Sequence, residues 1–119
     1  LALAYNNSNI VISYDIVYCR ELGYMEQLSN IEYRIGDVMD DKRLFASPLI
    51  MLDTNHDGVF EDKFYEFLRK NKYNGLLFLD DIQLNRPMKK FWNSIQENKE
   101  DLTDLGHWSG SGLVDFSSV

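Results

Sequence analysis

Four short apolar runs alternate with stretches of helical character, and this alternation restricts the fold more than any other feature of the chain. The runs are residues 9–14 (NIVISY), Ile31–Ile35 (IEYRI), 48–52 (PLIML) and 75–79 (GLLFL). Continuous apolar runs of this length, rich in branched side chains, predict buried strands. Residues 20–28 read as a short helix, and Lys42–Ala46 as a helical turn before Pro48. Residues 59–71 carry Phe60, Phe64, Phe67 and Leu68 in a helical stripe. Residues 87–95 suit a helix with Pro87 in its first turn. Residues 102–108 and 112–116, separated by Ser109-Gly110-Ser111, read as a closing β-hairpin. The sum predicts an α/β fold: a mainly parallel sheet with an antiparallel last strand, covered by helices on both faces. Tyr14, Tyr33, Phe64, Phe67, Phe78 and Phe91 are expected in the core, and Lys89-Lys90 on a solvated helix face.

A length of 119 residues suits one domain, and 45% hydrophobic with 26% charged residues is ordinary globular composition. The net charge of -7 opposes binding to a phosphate backbone or an anionic membrane surface, so neither nucleic acid nor membrane is expected as a partner. No run approaches the roughly 20 apolar residues of a membrane helix. The single cysteine, Cys19, has no internal disulfide partner, and a reducing compartment, the cytoplasm, is the expected setting. The opening LALAY lacks the basic start of a signal peptide and reads as the end of a helix. Residues 1–119 are accordingly expected to form part of a longer domain, from the end of its first helix to its last hairpin.

Acidic residues recur where the strands stop. Asp15, Asp53 and the Asp80-Asp81 pair follow three of the runs, and Gly36-Asp37 follows the fourth. Aspartate is a good turn and capping residue, so one such case would mean little. A row of them points to a site, because ligands of open parallel sheets bind beyond the carboxyl ends of the strands.

The segment Asp53-Thr54-Asn55-His56-Asp57-Gly58 supports two readings. It matches the opening of a calcium-binding EF-hand loop, with Glu61 at the ninth position. An EF-hand also needs a preceding helix and a Glu at position twelve, whereas here the preceding run is strand-like and the twelfth residue is Phe64. The second reading joins Asp53 and His56 to Asp80 and Asp81 on the neighbouring strand. Adjacent strands lie about 5 Å apart, so their terminal carboxylates can share one hard cation. His56 would then stand over that cation as a proton acceptor, since imidazole changes charge in the neutral range.

The order ISYDI, IGDVMD, LIMLDTNHDG, GLLFLDDI and a terminal hairpin resembles class I S-adenosylmethionine-dependent methyltransferases from their first helix onward, over nearly the whole chain. The resemblance implies a Rossmann-like, three-layer α/β/α methyltransferase sheet. It also implies that Asp15 holds the ribose hydroxyls of S-adenosylmethionine, with Ile16 against the adenine. Asp37, with Val38 beside it, would receive the adenine amino group, and Asp53 would lie next to the methyl donor. Asp53-x-x-His56 followed by Asp80-Asp81 looks closest to metal-dependent sugar O-methyltransferases acting on macrolides, and to cephalosporin-hydroxylase-like proteins. That likeness implies Mg2+ held by Asp53, Asp80 and Asp81, His56 as general base, and a small-molecule hydroxyl as methyl acceptor.

The chain departs from the family pattern in showing no first strand with its glycine-rich loop, which would sit between the strands at 9–14 and 48–52. Asp57 has no counterpart in that scheme and is expected to cap the helix that follows. His107 and Trp108 in GHWSGSGLVDF either line a substrate pocket or, for the Trp, cover the core. A non-catalytic α/β module that binds a metal or calcium, a receiver-like module and an inactive methyltransferase-fold fragment are the alternatives. A receiver domain would want a Lys after its last strand, and none is present there.

Overall fold

Apolar, partly β-branched segments form every strand but one. In the first, β1 (Val11–Asp15) and β2 (Ile31–Ile35) pair in parallel, with Val11 opposite Ile31 and Asp15 opposite Ile35. The structure is a computed structural model that describes residues 8–16 and 29–117. The chain divides into two compact units, Leu1–Asp41 and Lys42–Val119. The opening LALAY, Cys19 and the expected helix at 20–28 lie outside the described residues.

In the first unit, main-chain bonds extend the pairing at both ends: Val11 N–H donates to Asn30 O and Gly36 N–H to Asp15 O, each at 2.9 Å. Asp37 then starts the 3-10 turn Val38–Asp40 by accepting the Met39 N–H on its side chain at 2.9 Å. The Tyr14 hydroxyl donates to Asp41 at 2.6 Å and ties the turn back to β1.

The second unit opens with the 3-10 turn Lys42–Ala46, as expected, and contains a four-stranded sheet. Its strands are β3 (Leu49–Leu52), β4 (Leu76–Asp80), β5 (Asn98–Asp101) and β6 (Ser111–Asp115), in the spatial order β3-β4-β6-β5. The pair β3 and β4 is parallel, and β6 runs antiparallel to both β4 and β5. Two helices, α1 (Val59–Lys70) and α2 (Arg86–Ser94), complete it. The helix starts follow from local chemistry. Asn85 accepts the Met88 N–H at 2.9 Å and Pro87 fills the first turn of α2, where no N–H is needed. The end of α1 is a Schellman motif, with Tyr73 N–H on Leu68 O and Lys72 N–H on Arg69 O, and Lys72 takes a φ of 56°.

The strand residues alternate. Ile50, Leu52, Leu77, Leu79 and Val114 are buried on one face, while Leu49 and Met51 on the other are exposed. Phe64, Tyr65 and Leu68 of α1 and Met88, Phe91 and Trp92 of α2 complete this core. The helices meet where the Tyr65 and Phe91 rings pack edge to face at 6.1 Å. Leu68, Leu77, Leu79 and Val114 are fully inaccessible, and each such side chain contributes about 1.5–3 kcal/mol of transfer free energy.

Three expectations need correction. The four-stranded sheet of the second unit is mixed rather than mainly parallel, and within that unit α1 and α2 pack on the same sheet face. Residues 102–108 are not a strand: they hold the 3-10 turn Thr103–Leu105, and β5 is the fully exposed Asn-Lys-Glu-Asp of 98–101. Such a charged edge strand carries no apolar alternation to reveal it, and its charges discourage pairing with other chains. Lys99 is nevertheless tied to α2, donating to Trp92 O at 2.7 Å with its ammonium 5.1 Å from the Trp92 ring centre. Of the expected core aromatics, Phe64 and Phe91 are buried, whereas Tyr14, Tyr33, Phe67 and Phe78 are half-buried. Tyr65, Tyr73, Trp92 and Phe116 join the core in addition. Lys89 and Lys90 are exposed, as expected. No helix among the described residues is long and apolar enough to cross a membrane.

Candidate metal centre

Parallel pairing of β3 and β4 brings their carboxyl ends together, since Leu52 lies opposite Leu79. The next residues along are Asp53 and Asp80, followed by Asp81. Asp53, His56, Asp80 and Asp81 each offer one ligand atom, and these four atoms lie within 4.8 Å of one another.

The loop after β3 is built around a buried acid. Glu61, 2% exposed, accepts from the Thr54 hydroxyl at 2.5 Å, the His56 N–H at 3.1 Å and the Gly58 N–H at 2.9 Å. The Asn85 side chain donates to the His56 carbonyl at 2.8 Å. The backbone of His56 is therefore held from both sides while its φ stands at 58°, the left-handed region that a residue with a Cβ enters at a cost. Gly58 completes the loop with a φ of 77°, and a Cβ there would stand 2.8 Å from the Pro87 carbonyl oxygen. Only glycine satisfies both demands.

Asp81 repeats the pattern on the other side. Its φ is 59°, and its N–H donates to Gly110 O at 2.8 Å. Gly110 itself has a φ of 94°, and a Cβ there would come within 2.7 Å of the Gln83 side chain. Two left-handed, non-glycine residues thus face each other across the site. The His56 Nε2 stands 3.0 Å from Asp53 Oδ1 and 3.1 Å from Asp81 Oδ2. It is shielded from solvent, yet it makes an aligned hydrogen bond with neither carboxylate. Burial, then the neighbouring charges of Asp81 and Asp53, raise the Asp80 carboxyl above the usual carboxylate range.

Sequence reading anticipated Asp53, His56, Asp80 and Asp81 together, and the structure brings them together. Asp57 is no part of the group: its Oδ1 accepts the Val59 and Phe60 N–H groups at 2.9 and 3.3 Å. These bonds hold its carboxyl below the ordinary value. With a strand before the loop, Asp57 turned onto α1 and Glu61 spent on the loop itself, the EF-hand arrangement is not formed. In the first unit, Asp15 and Asp37 sit at the carboxyl ends of the paired strands β1 and β2. Asp15 accepts the N–H of Ile16 at 2.7 Å; Ile16 is exposed, and Val38 is half-buried. Trp108 is 77% exposed and does not cover the core. His107 reaches Asp80, with Nε2 3.5 Å from Oδ1, while its Nδ1 is hydrogen-bonded to the Ser109 hydroxyl.

Glu61, Asn85 and Ser109 were not anticipated at the site. Glu61 follows Gly58 by three residues, the spacing at which an acid reaches back to a helix-start amide. Asn85 immediately precedes Arg86-Pro87, a helix-start signature. Ser109 gave no such signal. Comparison with protein-family models, with curated proteins and with solved structures finds no match to this chain.

Proposed function

We propose that the protein is a divalent-metal-dependent methyltransferase that methylates a small-molecule hydroxyl with S-adenosylmethionine as donor. The observation that carries the reading is the convergence of Asp53, His56, Asp80 and Asp81 at the carboxyl ends of adjacent parallel strands. Two further features support it. The antiparallel last strand, β6, is the one feature of the expected methyltransferase sheet that this four-stranded sheet shares beyond its parallel β3-β4 pair. The pair β1 and β2 ends in the acids, Asp15 and Asp37, expected to hold the ribose and adenine of the donor.

The donor set fits a hard cation. Asp53, Asp80 and Asp81 offer three carboxylates, the ligands Mg2+ and Mn2+ prefer. A cation bound there would lower the pKa of a substrate hydroxyl beside it. His56 would take the hydroxyl proton on Nε2. Its backbone is fixed by Glu61 and Asn85, so the ring is presented without a search for conformation. Asp53 and Asp81, both within 3.1 Å of that nitrogen, would stabilise the imidazolium that results. The deprotonated hydroxyl oxygen would form its bond to the donor's methyl carbon as the sulfonium S–C bond breaks, releasing S-adenosylhomocysteine; the resemblance assigns Asp15 and Asp37 of the first unit to the ribose and adenine of that donor.

Metal titration of wild type, Asp81→Asn and Asp57→Asn tests the reading. Mn2+ or Mg2+ should bind wild type and Asp57→Asn alike and be lost from Asp81→Asn. A calcium site abolished by Asp57→Asn and untouched by Asp81→Asn would overturn it.

A further inference from the structure

We infer that His107 and Ser109 are a positioning pair that fixes the orientation of the Asp80 carboxylate for cation binding. The inference rests on the metal-centre reading above and adds two residues that the reading does not require. The ligand atom of Asp80 lies within 4.8 Å of those of Asp53 and Asp81, and a donor beside the Asp80 carboxylate would set its rotation. His107 supplies one, with Nε2 3.5 Å from Oδ1. At that distance the contact is an ion-pair approach rather than an aligned hydrogen bond. The imidazole is oriented in turn. Ser109 is 6% exposed, and its hydroxyl meets His107 Nδ1. A hydroxyl that donates to Nδ1 leaves the ring proton on Nε2, where it faces the carboxylate.

The turn that carries both residues is locked to the segment that carries the acids. Gly110 N–H closes the turn on His107 O at 3.0 Å. Asp81 N–H and Gln83 N–H then donate to Gly110 O and Ser109 O at 2.8 and 2.7 Å. A side chain on this turn therefore keeps its place relative to Asp80 and Asp81. Groups that hold a ligand from outside the coordination sphere typically affect metal affinity by about 10–100-fold.

Glutamine and asparagine divide the two functions of the ring. His107→Gln retains a donor near the Nε2 position, facing Asp80, whereas His107→Asn retains only a group near Nδ1, facing Ser109. Mn2+ titration followed by electron paramagnetic resonance, with the thermal midpoint of each metal-free variant, is the experiment. We expect His107→Asn to weaken Mn2+ binding by about 10–100-fold, His107→Gln to recover most of that loss, and Ser109→Ala to fall between them. The metal-free midpoints of the two His107 variants should agree. Wild-type affinity in His107→Asn would overturn the pair while leaving the metal centre standing. Equal loss in both His107 variants, with equally lowered midpoints, would reduce the pair to a turn-closing contact. Absence of Mn2+ binding in wild type would overturn the metal centre and the pair with it.

Discussion

The imidazole of His56 and the carboxylate of Asp81 meet at 3.1 Å, and both residues hold a left-handed backbone to do so. One lies on the loop after β3 and the other at the end of β4. Each conformation costs of order 1 kcal/mol, and each is held by specific bonds: Glu61 and Asn85 on His56, Gly110 on Asp81. The strain is concentrated at the residues that the proposed chemistry uses.

Glu61 should be the most sensitive position in this scaffold outside the apolar core. Glu61→Ala leaves three donors without their acceptor, and bonds to a charged group contribute about 1.5–3 kcal/mol each. Some of those donors regain water, so a net loss of about 3 kcal/mol is expected from urea denaturation. Glu61→Gln should retain part of it. A loss below about 1 kcal/mol for the alanine variant would show that the loop is held by other contacts.

Alkaline pH should expose the two core tyrosines. Burial pushes the Tyr65 hydroxyl up to about 12, with Glu97 adding to the shift, and burial alone pushes Tyr73 up to about 12. In the unfolded chain both ionise near 10. Raised folded-state values mean that this stability is fully present below pH 10 and is lost as pH rises toward 12. Thermal midpoints should therefore be flat up to about pH 10 and fall steeply beyond it. Tyr73→Phe should blunt the fall. The chain has seven tyrosines, so the contribution of Tyr73 is read as the difference between wild type and Tyr73→Phe: a difference in tyrosinate absorbance already present near pH 10 while the fold persists would contradict the burial.

Bound cation should stabilise the protein by mass action, by about 2.7 kcal/mol at a hundredfold excess over the dissociation constant. Asp80→Asn and Asp81→Asn should lose the response, whereas Asp57→Asn should keep it. An equal response in all three would place the cation elsewhere.

Much of this was legible in the sequence because the signals were local. The PLIML and GLLFL runs placed β3 and β4, and the acids after them placed the site, since parallel neighbours end together. Asp57 was legible as a cap from its position before Val59. What was not legible depended on side chains whose roles are set by burial. Glu61 resembles a helix-surface acid until the loop folds over it, and Ser109 resembles a turn residue until His107 turns toward it. The edge strand β5 escaped notice because Asn98–Asp101 contains no apolar residue at all.

The strain at the site can be separated from ordinary helix termination by a matched pair of glycine substitutions. Lys72 ends α1 with a φ of 56°, and Asp81 holds 59° beside His56. Both conformations favour glycine, so each variant should relieve about 1 kcal/mol of backbone cost. Lys72→Gly should raise the metal-free thermal midpoint and leave the response to Mn2+ unchanged, because Lys72 is exposed and serves only the end of the helix. Asp81→Gly removes the same kind of strain and also the repulsion that Asp81 exerts on Asp80. It should stabilise the metal-free protein at least as much as Lys72→Gly while abolishing the Mn2+ response. A gain in stability tied to a loss of binding is the expected mark of a residue kept for its chemistry. If Asp81→Gly instead lowers the metal-free midpoint, the contact between Asp81 and His56 is itself structural, and the strain serves the fold rather than the site.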